Sequence, residues 1–300
     1  MHPCVILRKH VPYEISQKFV FKDKPNLLNI SYRMEKSAFK YIFPVAVFGI
    51  SLVLILFALF LNFEKKREKE ALMERIVAEQ KALEEAQKKA EQKIYLMGKF
   101  DPSAREDFTP VPEAYNVGGY KMYLSIEALD AFSKMREAAL LDKIDLKIAS
   151  AARNFDYQKN LWNNKWNALT IDGVDRFKKI LKYSAVPGTS RHHWGTDIDI
   201  NAATPEYFRT RKGASVYEWL NKNASLFGFC QPYNAKGPGR PTGYSEEKWH
   251  WSYAPLSRAF TRDYGDLVSE GDINGFLGEE YVSKLNLINN YVLGINSECL

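Results

Sequence analysis

Residues 41–63, YIFPVAVFGISLVLILFALFLNF, carry no charged side chain over 23 positions. No other feature of this chain limits its folding so strongly. At about 1.5 Å of rise per residue, a helix of that length crosses a hydrocarbon core of roughly 30 Å. A core helix this long would ordinarily keep a polar face, and this stretch has none. A cleaved signal peptide needs a shorter apolar region and a small-x-small cleavage site. The run ends ALFLNFEKK, a poor site, so an uncleaved anchor is expected, with Pro44 in its first turn. Flanking charge does not orient it: Lys22, Lys24, Arg33, Lys36 and Lys40 precede the span, and Lys65, Lys66, Arg67 and Lys69 follow it. Met34 opens MEKSAFK, which would itself make a conventional start. Residues 1–33 are therefore read as a short tail without a motif or as an over-long start.

Behind the span, EKKREKEALMERIVAEQKALEEAQKKAEQK (64–93) mixes both charges and contains no Gly or Pro. It predicts a solvated helical stalk. Ile76, Leu83 and Ala90 lie seven apart, with Leu72 and Ala86 at a second heptad position, which leaves a weak dimer as an option. Composition shifts near residue 95, where MGKFDPSAREDFTPVPEAY reads as irregular chain. Helices are expected over 124–143, 174–184 and 216–229, a strand over 144–152, and an extended aromatic stretch over 242–254. The 300 residues suffice for one good-sized domain plus extras or two small ones, and the 14% aromatic content supports a hydrophobic core. A net charge of +6 is mild and does not call for nucleic acid. Of Cys4, Cys230 and Cys299, none has metal-ligand spacing; the last two either form one disulfide or remain unpaired thiols.

The chemistry concentrates in SRHHWGTDID (190–199), with two histidines and two aspartates in ten residues. A catalytic zinc usually takes three protein ligands from His, Asp and Glu and leaves a position open. This motif offers a His and an Asp, and EEKWHW offers His250 as the third. The chain has five histidines, and every one beyond the span, His192, His193 and His250, lies in these two motifs. Glu247, three residues before His250, suits a general base that deprotonates an attacking water. Trp249 and Trp251 flank His250 on alternate positions and would orient it in an extended segment. On a strand, Asp197 and Asp199 share a face, so one could ligate while the other orients a histidine.

These motifs resemble a known family. SRHHWGTDID looks like the S-x-H-x-x-G-x-x-x-D motif of VanY-type zinc D,D-carboxypeptidases, and EKWHW looks like their E-x-W-H-W motif. SAARNFDYQ (150–158) resembles their S-G-Y-R-S-x-x-x-Q segment, and the likeness spans roughly residues 120–255 in family order. The resemblance implies His192, Asp199 and His250 as Zn2+ ligands, Glu247 as catalytic base, and Arg153 as the clamp on the substrate's terminal carboxylate. A planar guanidinium can bind a carboxylate bidentately, which lets a carboxypeptidase select chain ends. Gln158 and Ser190 match positions lining the substrate site, and His193 falls outside the ligand spacing. Asp197, where the family often has Ala, departs from the pattern.

The expected fold is α+β: a small antiparallel sheet flanked by helices around a central zinc site, preceded by one transmembrane helix and a stalk. The expected divisions are a cytoplasmic tail (1–40), an anchor (41–63), a stalk (64–94), a linker (95–119), a zinc carboxypeptidase domain (120–258) and a C-terminal extension (259–300) packing on it. The expected function is a single-pass metallopeptidase of the bacterial cytoplasmic membrane, its domain outside the cytoplasm, removing D-alanine from peptidoglycan stem peptides. An L,D-carboxypeptidase acting on tetrapeptide stems is the enzymatic alternative. A non-catalytic peptidoglycan-binding module is the other. PYNAKGPGRPTGY (232–244) is a loop placed to shape substrate access.

Overall fold

Helix α1 (Leu28–Leu96) contains the whole apolar run. The computed structural model describes residues 28–300, with side chains from residue 39 onward; the tail before residue 28, Cys4 included, lies outside the described residues. Because α1 begins at Leu28, Pro44 sits inside the helix and not in its first turn. Its missing N–H leaves the Lys40 carbonyl without an intrahelical partner. The helix is long and apolar enough to cross a membrane, and its most apolar window reaches a mean hydropathy of 2.8 with none of it buried.

The chain divides into two units, residues 1–79 and 80–300. In the second, short strands β1 (Phe108–Pro110) and β2 (Tyr123–Ser125) pair antiparallel. Helix α2 (Ile126–Leu141) follows, capped by the Ser125 hydroxyl, which accepts from the Ala128 N–H. A four-stranded antiparallel sheet has the order β3 (Ile148–Ser150), β4 (Asp197–Ile200), β6 (His250–Tyr253), β5 (Phe229–Cys230). Around it lie α3 (Phe155–Asn167), α4 (Gly173–Leu181), α5 (Pro205–Arg209), α6 (Arg211–Asn223) and α7 (Ala254–Leu267). The expected mixture of helices with small antiparallel sheets is what the structure has.

Two apolar clusters form the core. One joins α2, α6 and the sheet through Phe132, Ile198, Ile200, Leu220 and Trp251. The other joins Leu96, Trp162, Phe177, Trp194 and Tyr264 with Phe276, Leu287 and Val292 of the C-terminal segment. After α7 that segment runs as short 3-10 and π turns. Cys230 and Cys299 form a disulfide that ties its end to β5.

The stretch read as a linker, 95–119, is packed. Leu96 and Met97 are buried, Phe108 and Val111 are buried, and β1 lies within it. Pro102 and Pro112 sit at 3-10 turns, and Pro110 ends strand β1. Residues 242–249 also depart from the extended reading; only His250–Tyr253 forms a strand. Helices α3 and α7 have no strong apolar stripe: α3 buries Gln158 and Trp162, and α7 buries Ala254, Ser257, Thr261 and Tyr264.

Truncating Leu96, wholly buried at the end of α1, should destabilise residues 80–300 as a core deletion does. Leu96→Ala is expected to cost about 2–5 kcal/mol in denaturant unfolding. A loss under about 0.5 kcal/mol, the range of an exposed surface site, would mean that this turn is not part of the folded core.

Candidate active site

Strand register brings the two motifs together. β4 and β6 pair with Asp199 opposite His250 and Asp197 opposite Ser252. β3 pairs on the other side of β4, with Ser150 opposite Asp199. His192 comes from a 3-10 turn, residues 191–194, just before β4. Gly195 ends that turn at φ 68°, and a Cβ there would overlap the Phe108 ring, so the turn requires glycine.

The result is one buried cluster. His192 Nε2 lies 3.4 Å from Asp199 Oδ1, and His250 Nδ1 lies 3.3 Å from the same oxygen. His192, Asp199 and His250 each offer an atom that could ligate a metal ion, and these atoms all fall within 4.8 Å of one another. Each imidazole is held by its other nitrogen. His192 Nδ1–H donates to the Ala151 carbonyl at 2.8 Å, and His250 Nε2–H donates to Asp197 Oδ1 at 3.0 Å. His192 Nε2 and Asp199 Oδ1 are buried without a hydrogen-bond partner. Two imidazoles oriented from behind, with His192 Nε2 and Asp199 Oδ1 unsatisfied in front, make a donor set that fits a divalent zinc ion with a position left open.

The other expected residues line the same cleft, of about 110 Å³. Glu247 Oε2 is 3.6 Å from His250 Nδ1. Arg153 Nη1 donates to Ser150 Oγ at 3.0 Å and lies 3.7 Å from Asp199 Oδ2. Gln158 Nε2 donates to the Ala185 carbonyl at 2.7 Å, and Ser190 is buried at the wall. Arg153 Nε, Gln158 Oε1 and the Tyr244 hydroxyl are, like the two ligand atoms above, buried without partners.

Residues 121–256 match the family model described as VanY, D-alanyl-D-alanine carboxypeptidase. This segment is similar to the VanY-type carboxypeptidases. Two curated relatives agree. YodJ of Bacillus subtilis (strain 168) is 29% identical over 152 residues, covering 50% of this chain and 53% of its own length. A D-alanyl-D-alanine carboxypeptidase of Enterococcus faecalis is 28% identical over 157 residues, covering 50% of this chain and 57% of its own. The chain thus spans little more than half the length of either relative. Among solved structures, a variant of the vancomycin-resistance D,D-pentapeptidase VanY in complex with Zn(II) is 27% identical, with a TM-score of 0.39 over 58% of this chain and 94% of that one.

Within the cleft, charge is graded by its surroundings. Burial alone would raise the Asp197 pKa, but Arg191, His250 and Thr196 outweigh it and hold the carboxyl well below the usual range. Burial likewise opposes ionisation of Asp199 and is outweighed by His192 and His250. Burial, aided by Arg153, pushes His192 down, which keeps its imidazole neutral. Burial would also lower His250, but Asp197 and Asp199 raise it to about 9. Burial and Asp199 push Glu247 up to about 8, against the pull of His250, Arg153 and Lys165.

The sequence reading missed Arg191. It is wholly buried, donating from Nε to Asp197 Oδ1 at 2.9 Å, from Nη2 to Ser252 Oγ at 2.7 Å and from Nη1 to Thr261 Oγ1 at 2.8 Å. Arg191 fixes Asp197, and Asp197 fixes His250. Tyr233 and Tyr244, both buried cleft residues, were not singled out, although they lie in the 232–244 loop that was read as shaping access. The one available signal was a basic residue six before an aspartate that departs from the family pattern. His193 is also buried, and its pKa falls to about 3, chiefly through burial.

Two expectations follow. Asp197→Asn should weaken zinc binding by about 10–100-fold in chelator competition, with the fold checked by circular dichroism; unchanged affinity would remove Asp197 from the metal centre. Zinc must displace the His250 proton, so apparent affinity should climb as pH rises from 6 toward the raised value of about 9. The same shift stabilises the metal-free fold fully below the unfolded histidine value of about 6.5, and that gain is lost as pH rises through the folded value. Calorimetric titration in buffers of different ionisation enthalpy counts the released protons; a count of zero at pH 7 would contradict the assignment.

Proposed function

We propose that the chain is a membrane-anchored zinc carboxypeptidase that removes the C-terminal D-alanine from peptidoglycan stem peptides by cleaving the D-Ala-D-Ala bond. One observation carries this reading: five buried polar atoms without partners, from Arg153, Gln158, His192, Asp199 and Tyr244, belong to residues lining a single cleft. Buried polar groups are nearly always paired, so a convergent unpaired set supports a site completed by a metal and a polar substrate.

His192, Asp199 and His250 would hold zinc, which supplies Lewis acidity toward the scissile carbonyl. Glu247 takes the proton of the attacking water and returns it to the leaving amine. The Glu247 carboxylate lies 3.6 Å from His250 Nδ1, close enough to act at the same spot. The Arg153 guanidinium binds the terminal carboxylate, with Gln158 and Ser190 at its side. Apolar α1 serves as the anchor, and its N-terminus faces the cytoplasm, because peptidoglycan lies outside the membrane. The Cys230–Cys299 disulfide supports an oxidising surrounding for the domain.

The test uses the full chain in detergent, with pentapeptide and tetrapeptide stems and D-alanine release followed by mass spectrometry. Release from the pentapeptide, abolished by a chelator and restored by zinc, is expected. Glu247→Gln should lower kcat by about 10²–10⁴-fold, and Arg153→Ala should act mainly on KM. Release from the tetrapeptide alone would move the scissile bond to an L,D linkage. No release from either by zinc-loaded, folded protein would overturn the reading.

A further inference from the structure

His193 is the one histidine of the domain outside the metal cluster, and its surroundings give it a defined task. Its ring is buried among main-chain groups. Gly188 N–H donates to Nε2 at 3.0 Å, so Nε2 must be the acceptor and the ring proton sits on Nδ1. Nδ1–H then donates to the Arg153 carbonyl at 2.6 Å. The other side of the Arg153 backbone is held as well: its N–H donates to the His192 carbonyl at 3.1 Å. Both main-chain polar groups of Arg153 are thus bound by the His192–His193 pair, while His192 Nδ1 holds the Ala151 carbonyl.

The end of α1 presses on this ring from behind. Gly98 has φ 69°, and a Cβ there would overlap the His193 imidazole. The Gly98 carbonyl accepts from the Phe155 N–H at 2.7 Å, two residues past Arg153. One turn earlier, the Leu96 carbonyl accepts from Trp194 Nε1 at 3.0 Å, and the Tyr95 hydroxyl donates to the Trp194 carbonyl at 2.9 Å. Residues 95–98 therefore back the histidine turn and the arginine segment together.

We propose that His193 is a positioning residue that fixes the spacing between Arg153 and the His192–Asp199–His250 cluster, with the end of the membrane-proximal helix as its support. A carboxypeptidase must hold a terminal carboxylate at one set distance from the bond it cleaves. Arginine is long and flexible, so that distance is kept only if its main chain is fixed relative to the histidines. His193 does so through one ring, reaching Arg153 with one nitrogen and the 187–190 turn with the other. This inference rests on the carboxypeptidase reading above.

Two near-isosteric substitutions separate the nitrogens. In His193→Asn the side-chain amide N–H can take the place of Nδ1–H, keeping the bond to Arg153. In His193→Gln the amide oxygen can take the place of Nε2, keeping the bond from Gly188 and losing the one to Arg153. The full chain in detergent is assayed for KM and kcat on a stem peptide with a free C-terminal carboxylate and on its C-terminal amide, and zinc affinity is read by chelator competition. His193→Gln should raise KM for the free carboxylate about tenfold or more, as expected from about 1.4 kcal/mol of lost positioning. It should narrow the preference over the amide and leave zinc affinity within about threefold. His193→Asn should retain the wild-type KM, and Gly98→Ala, which displaces the ring, should behave like His193→Gln.

Equal behaviour of His193→Asn and His193→Gln, or a fall in zinc affinity parallel to the rise in KM, would overturn the proposal, because either describes a residue that merely supports the turn. Arg153→Ala distinguishes the two levels. If it destroys the carboxylate preference while the His193 and Gly98 variants do not, this proposal alone fails. If wild type shows no such preference, the carboxypeptidase reading fails with it.

Discussion

The pairing of β4 with β6 is the constraint on which the domain depends. With Asp199 opposite His250, a carboxylate and an imidazole from motifs some fifty residues apart in sequence lie side by side on one face. A slip of one residue would turn every side chain of one strand to the other face and dissolve the cluster. The apolar residues on the opposite face guard against that slip. Ile198, Ile200 and Trp251 are buried in the core beside α2 and α6, so the register that fills the core is also the register that assembles the site.

Behind this face runs a chain of buried charge from Arg191 through Asp197 to His250. Such a pair is costly to desolvate and is tolerated when its hydrogen bonds are complete. Here they are largely complete: Ser252, Thr261 and Thr196 take up donors and acceptors around it. Specificity of orientation is what the arrangement supplies, since Asp197 determines which nitrogen of His250 faces the cluster. Helix α7 takes part through Thr261 and Ser257, which explains why its buried face carries small polar residues.

That same polar face hid α7 from the sequence. A search for apolar periodicity cannot see a helix whose buried positions are Ala254, Ser257, Thr261 and Tyr264. Helix α3 was hidden likewise, since Gln158 and Trp162 are its buried positions. The prolines of 95–119 suggested a tether, yet Leu96, Met97 and Phe108 are buried there by partners distant in sequence. The site itself was more legible, because the residue types needed for metal chemistry are few and occurred in only two motifs. His192, Asp199, His250, Glu247, Arg153, Gln158 and Ser190 do line one cleft. Arg191, Tyr233, Tyr244 and the placement of His193 required tertiary contacts that no local pattern encodes.

The central claim is that His192, Asp199 and His250 form a zinc centre, and X-ray absorption spectroscopy of the zinc-loaded chain tests it most directly. The account predicts one zinc per chain with a shell of nitrogen and oxygen at about 2.0–2.1 Å, outer scattering from two imidazoles and no sulfur. The imidazole signal should fall to one ring in His250→Ala. A sulfur shell at about 2.3 Å, or a spectrum indifferent to that substitution, would contradict it.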